Sequence, residues 1–321
     1  MDKKIKTILL FSLIGSFAVI DLTIFGLFTS LVLPSGSPTM QAKSIELGDY
    51  LPFEENSKII KKKDNLTLTG EKPIIDSAAA LYPISSSFVN AIYDKKDIEY
   101  VNGNYTPLSK LQMNNTRNCY KGIVDGKIDI GLLAKPSAQQ KEYASTNNVE
   151  LVLEAIGYES FVFLVNKNNP IDSLTIEQVK GIYTGKYTNW SQLGGYNKQI
   201  IPLQRNESSG RQTAFLSFMN GEKTISKPLN RFGSAIGFSF RYYVEDVVKN
   251  GDVKMISLND IYPNKENIQN KSYPIVSNFY AVYSSNNTNP NVKKVVDWMK
   301  QDVAQQIVNE VGYVGLSYTV D

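Results

Sequence analysis

From Lys72 onward, short apolar runs alternate with segments whose apolar residues recur at helical spacing, and this alternation constrains the fold more than any other feature. Such an alternation of strands and amphipathic helices is typical of an α/β protein. The chain has 321 residues, a length that suggests about two domains at roughly 100–200 residues each. The predicted strands are Pro73–Ile75, Lys127–Leu133, Leu151–Leu153, Phe161–Val165 and Ile200–Leu203.

Helical periods lie between and after these strands. Apolar residues recur every three to four positions after Pro83, a residue that is tolerated in the first turn of a helix. The last segment with apolar residues at helical spacing is the longest, and it predicts one continuous helix from Val292 to Val311. Another predicted helix runs from Thr175 to Ile182, and a further one follows the turn at residues 206–210 and continues through Phe215, Leu216 and Met219.

The chain contains no histidine, which excludes imidazole bases and the zinc sites that depend on histidine. Cys119 is the single cysteine, so neither an intramolecular disulfide nor a multi-cysteine metal cluster can form. The formal charge is only +3, from 34 basic and 31 acidic residues, a balance that does not indicate a nucleic-acid-binding surface. We therefore expect no enzymatic activity, no cofactor, no bound metal and no nucleic-acid partner.

The N-terminus predicts export from the cytoplasm. Three lysines precede an apolar stretch, Ile8–Leu33, which contains one charge, Asp21. As a helix rising about 1.5 Å per residue, this stretch would span a hydrocarbon core about 30 Å thick. Basic residues on its N-terminal side place the rest of the chain outside the cytoplasm. Residues 1–34 are thus predicted to be a signal anchor in the cell membrane, or a signal peptide whose cleavage would leave a secreted or periplasmic protein.

Residues 35–71 are predicted to be a polar tether. Pro34–Pro38 breaks any helix, and the lysine run Lys61–Lys63 favours a solvated segment.

Residues 205–213 carry the clearest indication of ligand chemistry. A strand end leads through a Ser/Gly-rich turn into a helix, whose first amides point outward with a partial positive charge. Arginine can hold an oxyanion through two hydrogen bonds, glycine allows close approach of the backbone, and Glu207 could hold Arg205 or accept a proton. An ordinary helix cap with exposed arginines is the alternative. The candidate ligand-binding residues here are Arg205, Glu207, Ser208, Ser209, Gly210 and Arg211.

Two other helix starts supply further candidates. Ser77, Ala78 and Ala79 lie between the first strand and the first helix, at an edge where open α/β sheets bind ligands. Thr116 and Arg117 lie just ahead of another helix. Donors from these positions could converge with residues 205–211 across a cleft.

Four motifs strengthen this interpretation. The pattern NP…LT lies in Asn168–Thr175, and the pattern YTGKYTNW…GG lies in Ile182–Gly195. The pattern R…SG…F lies in Arg205–Phe215, and SAIGF is Ser234–Phe238. Together with the order of elements, they resemble the phosphate-binding proteins of ABC transporters, which have the two-lobed type 2 periplasmic-binding-protein fold. The resemblance implies a phosphate or other small-anion ligand and an ABC permease as partner. It also implies a first lobe formed by residues 72–157 and 277–321 and a second formed by residues 158–276.

The chain departs from the family pattern at several ligand positions. Residues 77–80 lack hydroxyl groups that the family usually has, Ala134 stands where the family has a proton-accepting aspartate, and Arg211 replaces a threonine. A buried polar group without a partner costs about 1–3 kcal/mol, so these changes matter for a phosphate pocket. We therefore expect an inorganic oxyanion, phosphate first, as the ligand. The alternative is a membrane-tethered sensor or surface interaction module that keeps the fold without phosphate transport.

Overall fold

The computed structural model describes residues 46–205, 209–225, 233–248 and 252–316. Residues 1–34, predicted as a signal anchor or signal peptide, lie outside the described residues. Within the described ranges no helix is both long enough and apolar enough to cross a membrane.

The described chain is a mixed α/β structure, which confirms the predicted class. Its strands are β1 (Ile75–Ser77), β2 (Tyr100–Val101), β3 (Asn104–Tyr105), β4 (Ile130–Leu133), β5 (Leu151–Asn166), β6 (Ser173–Leu174), β7 (Gln199–Pro202), β8 (Gly233–Phe240), β9 (Val253–Met255), β10 (Ser257–Leu258) and β11 (Val276–Ser284). Its α-helices are α1 (Tyr82–Ile92), α2 (Asn115–Val124), α3 (Ala138–Thr146), α4 (Ile176–Tyr183), α5 (Gly210–Met219), α6 (Lys265–Gln269), α7 (Asn291–Trp298) and α8 (Asp302–Val311).

One sheet of seven strands organises the molecule, in the order β1-β4-β11-β5-β8-β7, with β9 also paired to β5. The outer pairs β1–β4 and β7–β8 are parallel, whereas β11 and β5 run antiparallel to each other and to their outer neighbours. Parallel outer strands followed by helices place α1 and α5 at the carboxyl ends of β1 and β7. Those ends are where α/β sheets bind ligands.

β5 is a single strand of 16 residues, not the two short strands that the sequence predicts. Its first part pairs with β11 and its second part with β8 and β9, so each part belongs to a different core. Gly157 lies in the part that pairs with β11, opposite Phe279 and against its ring. A Cβ atom at Gly157 would lie 2.4 Å from that ring, so any larger residue would displace Phe279.

The buried apolar side chains form two main cores. The first, which we call lobe 1, contains Ile75, Ile156, Phe279 and the residues of α1, α7 and α8. The second, lobe 2, begins at Phe161 and includes the buried residues of α4, α5 and β8. β5 and β11 pass through both, and the exact boundaries at residues 157/158 and 276/277 stay a prediction.

The second half of the predicted tether is packed against lobe 1. Ile59 is buried, and other apolar side chains of residues 46–71 pack on the core. The amide of Phe53 donates to Oδ1 of Asn90 (3.1 Å), and Trp298 donates its indole N–H to Asp64 (2.8 Å). We call residues 46–71 the strap. Every residue of α1 is buried, because the strap covers the face of the helix that carries Ser86 and Asn90.

The predicted helix from Val292 to Val311 is two helices, α7 and α8, separated by residues 299–301. Gln301 is extended (ψ 165°), and its amide closes a tight turn onto the carbonyl of Trp298 (2.9 Å). The side-chain amide of Gln305 donates to the carbonyls of Met299 (2.7 Å) and Ile156 (3.0 Å). It therefore satisfies a carbonyl that the interrupted helix leaves without a partner. Apolar residues recur at helical spacing on both sides of the break, which is why the sequence does not reveal the break.

Candidate anion-binding site

The lobe 1 half of the site begins where β1 ends. Ser77 is fully buried, and its hydroxyl lies 3.0 Å from the hydroxyl of Ser85 in α1. The amide of Ala78 donates to the carbonyl of Leu132 (3.1 Å). The chain then enters a 3₁₀ turn, Ala79–Leu81, which continues into α1. Amides at the start of such a turn have no acceptor within the helix, so this turn supplies backbone donors.

Asp76 connects this turn to the start of α2. Its carboxylate is fully buried and accepts hydrogen bonds from the amide of Ser77 (2.7 Å) and from both the amide (2.8 Å) and the side chain (3.0 Å) of Asn114. Burial raises the pKa of Asp76, and the hydrogen bonds from Asn114 and Ser77 oppose that shift. Asn114 is the residue before α2, so Asp76 fixes where Thr116 and Arg117 begin that helix.

Arg205 and α5 form the lobe 2 half of the site. Arg205 is buried (8% exposed), and its amide donates to the side-chain oxygen of Gln212 (2.9 Å). Ser209 caps α5, since its hydroxyl accepts the amide of Gln212 at 3.4 Å. Gln212 thus ties the strand end that carries Arg205 to the helix start that carries Gly210.

Arg211 contributes a second guanidinium beside Arg205. Its Cζ lies 3.7 Å from the centre of the Tyr243 ring, a cation–π contact that fixes the side chain. Burial lowers the pKa of Arg211, and Tyr243 opposes that shift. Burial and then the charge of Arg211 lower the pKa of Arg205 to about 10. The two guanidinium groups therefore lie close enough to repel each other, and a bound anion would relieve that repulsion.

The two halves face each other. A Cβ atom on Gly210 would lie 3.6 Å from Oγ1 of Thr116 and 3.9 Å from Cβ of Ala134, which follows β4. Both distances are in the range of ordinary van der Waals contact, so Gly210 of lobe 2 lies close to Thr116 and Ala134 of lobe 1. The helix start in lobe 2 and the start of α2 in lobe 1 therefore share one narrow cleft.

Tyr313 joins the two halves at the rear of this cleft. Its hydroxyl donates to the carbonyl of Ala80 (2.6 Å), in the lobe 1 turn, and its ring packs on the ring of Tyr242 (4.1 Å between centroids). Burial raises the pKa of Tyr313, and the charge of Arg211 in lobe 2 opposes that shift. Nearby, Glu159 in β5 accepts the amides of Ser160 (2.8 Å) and Tyr242 (3.3 Å).

The structure separates the predicted site residues into three groups. Thr116 and Gly210 lie against each other across the cleft, and Arg205, Ser209 and Arg211 lie beside Gly210. Ala79 begins the turn that follows β1. Three others are placed differently: the hydroxyl of Ser77 is paired with that of Ser85, the amide of Ala78 donates to Leu132, and Arg117 is exposed on α2. Ligand binding by these three residues stays a prediction. Glu207 and Ser208 lie outside the described residues.

Sequence reasoning missed four residues that shape the site: Asp76, Gln212, Tyr243 and Tyr313. Gln212 carried a usable signal, because Ser209 and Gln212 have the S-x-x-Q spacing of a capping box. Tyr243 and Tyr313 are brought to the cleft from distant parts of the chain, and no local pattern marks them. Asp76 directly precedes the candidate Ser77, but its role depends on the distant Asn114.

Comparisons with known proteins agree with this architecture. A family model described as a PBP superfamily domain matches residues 77–303. A phosphate-binding protein PstS from Borreliella burgdorferi is 23% identical over 289 residues, which cover 82% of this chain and 92% of that protein. A PstS from Bacillus subtilis is 24% identical over 206 residues, covering 60% of this chain and 66% of that protein.

Two solved structures share the fold. A substrate-binding protein from Clostridium perfringens, solved with bound phosphate, superposes with a TM-score of 0.57 at 22% identity, covering 75% of this chain and 98% of that one. An ABC-type phosphate transport receptor from Vibrio cholerae gives a TM-score of 0.53 at 22% identity, covering 76% and 99%. At such identities the likeness establishes the fold alone.

Proposed function

This chain belongs to the PBP superfamily, and from that premise we propose that it binds phosphate between its two lobes as the substrate-binding protein of an ABC importer. It would act outside the cytoplasm and deliver the anion to the permease subunits. Residues 1–34 would hold it at the cell membrane, or release it if they are cleaved. The proposal describes a binding protein and not an enzyme.

One observation carries the proposal: Arg205 and Arg211 lie beside the N-terminus of α5, and that helix start faces the start of α2 across the cleft. Helix N-termini and guanidinium groups both favour negative charge. An anion held between them would gain contacts from both lobes and so favour the closed arrangement over an open one. The names of the relatives, phosphate-binding proteins, support phosphate as the anion. None of them supports the alternative of a sensor without transport.

Calorimetric titration of the full-length protein with phosphate tests the proposal. We expect saturable binding, and a phosphate concentration of 100 times the dissociation constant should stabilise the fold by about 2.7 kcal/mol. Arg205→Ala removes a guanidinium from the cleft and should weaken binding by at least about tenfold, the range of one charge-assisted hydrogen bond.

Arg117→Ala is the matched control, because Arg117 is exposed on α2 and should leave affinity within about twofold. The proposal fails if phosphate neither releases heat nor raises the melting temperature. It also fails if both alanine variants bind phosphate as tightly as the unaltered protein.

A further inference from the structure

The groups that face the cleft are mainly hydrogen-bond donors. The guanidinium of Arg211 is held against Tyr243, and its buried Nε has no hydrogen-bond partner within the described residues. Arg205 lies beside it, and the first amides of α5 open toward the same space. Arginine has five N–H donors and no acceptor, so these two guanidinium groups can only donate to a ligand.

The carboxylates nearest to the cleft are directed to other partners. Asp76 is fully buried and accepts three N–H groups, from Ser77 and Asn114. Glu159 is 5% exposed and accepts the amides of Ser160 and Tyr242. The oxygens of both carboxylates are therefore already paired with N–H groups of the protein.

A methyl group occupies the position opposite the lobe 2 helix start. Cβ of Ala134 lies 3.9 Å from where a Cβ of Gly210 would stand, and it can neither donate nor accept. The neighbouring hydroxyl of Thr116 can do either, because it rotates to suit its partner. This wall of the cleft therefore does not require its ligand to carry a proton.

We propose that this site selects its anion by charge and not by the anion's proton, so that it holds sulfate about as tightly as doubly charged phosphate. The inference rests on the proposed function and adds the ligand class, a tetrahedral dianion. Hydrogen phosphate carries one P–OH group that must donate to an acceptor, whereas sulfate near neutral pH carries none. A cleft with a carboxylate acceptor would repel sulfate, and a cleft of donors accommodates both anions.

The test is calorimetric titration of the full-length protein with sodium sulfate and with sodium phosphate. At about pH 8, where phosphate is mostly doubly charged, we expect the two dissociation constants to agree within about tenfold. At about pH 5, where phosphate is mostly singly charged, phosphate should bind at least about tenfold more weakly while sulfate changes little.

Ala134→Asp places an acceptor on the lobe 1 wall of the cleft. We expect this variant to lose sulfate binding by at least about a hundredfold and to keep most of its phosphate binding. Ala138→Asp is the matched control, since it adds the same charge at an exposed position at the start of α3 and should leave both affinities within about twofold.

The outcomes separate this inference from the proposed function. Phosphate binding with rejection of sulfate by a hundredfold or more would overturn the inference and leave the phosphate-binding function in place. Glu207→Gln then identifies the reason: if it admits sulfate, Glu207 is the acceptor. Absence of binding for both anions would overturn the proposed function, and the inference with it.

Discussion

Gly210 of lobe 2 lies against Thr116 of lobe 1, so closely that a single added carbon on the glycine would touch the threonine hydroxyl at 3.6 Å. The contact joins the start of α5 to the start of α2. It shows that these two helix starts lie in close contact in the described arrangement.

Enlarging Gly210 should therefore hold the lobes apart. Gly210→Leu would place three carbons beyond the Cβ position, where Thr116 and Ala134 already lie, so we expect at least about a tenfold loss of phosphate affinity. Small-angle scattering should also show no compaction when phosphate is added. Gly210→Ala is the control, because its Cβ fits at van der Waals distance; equal binding by the Leu variant would show that closure does not bring these helix starts together.

Tyr313 should matter through its hydroxyl more than through its ring. Tyr313→Phe keeps the packing on Tyr242 and Phe279 but leaves the carbonyl of Ala80 without its donor. Loss of that buried hydrogen bond should destabilise the fold by about 1–2 kcal/mol and loosen the turn that faces the anion.

We expect phosphate affinity of the Tyr313→Phe protein to fall by about threefold to tenfold, measured by titration at a temperature where the variant is fully folded. Tyr273→Phe is the control: it also removes a buried hydroxyl, which donates to the carbonyl of Phe161 in lobe 2. Equal affinity losses in both variants would mean that the effect is general destabilisation and not positioning of Ala80.

Glu159 should make stability depend on pH. Burial raises the pKa of Glu159 from 4.5 to about 7, and Arg241 opposes that shift. Since the folded protein holds this proton more tightly than the unfolded chain, stability is greatest below about pH 4.5 for this group and falls as pH rises to about 7. The contribution is about 3 kcal/mol at the pKa values given.

Glu159→Gln removes the titrating group and keeps one oxygen for the amide of Ser160. The free energy of unfolding of the variant, relative to the unaltered protein, should therefore rise by about 2–3 kcal/mol between about pH 5 and about pH 8. Urea unfolding at the two pH values measures this difference. A difference that is constant with pH would show that Glu159 does not titrate in this range.

The strap should contribute to stability through Asn90. Asn90→Ala removes the acceptor of the Phe53 amide inside a buried contact, so we expect a loss of about 1–3 kcal/mol and faster proteolysis within residues 46–53. Asn104→Ala is the control, because Asn104 is exposed on the small β2–β3 hairpin. No change in either measurement would indicate a loose tether in place of a packed strap.

The limits of the sequence analysis are clearest at the arginines. Arg117 and Arg211 both stand in the first turn of a helix, and both are equally good anion ligands by residue type. The ring of Tyr243 packs on the guanidinium of Arg211, which is half-buried, whereas Arg117 is exposed. Burial by another part of the chain, which no local pattern reveals, separates the two.

The strap and the two C-terminal helices show the same limit. The lysines and proline of residues 35–71 predict a solvated segment, yet Ile59 and its apolar neighbours cover α1 because its serines and Asn90 offer hydrogen bonds to the strap. The apolar period from Val292 to Val311 predicts one helix, yet the side chain of Gln305 supports a break within it.

The sequence by itself determined the α/β class, most strands, the helix that follows Arg205 and the membership of a binding-protein superfamily, because apolar periodicity and short motifs are local properties of the chain. Only the tertiary structure decided which donors share the cleft, that Asp76 is directed away from it and that Tyr313 joins its halves. Those relationships connect residues up to 233 positions apart, and they are fixed by the packing of two lobes across β5 and β11, which has no signature within any one segment.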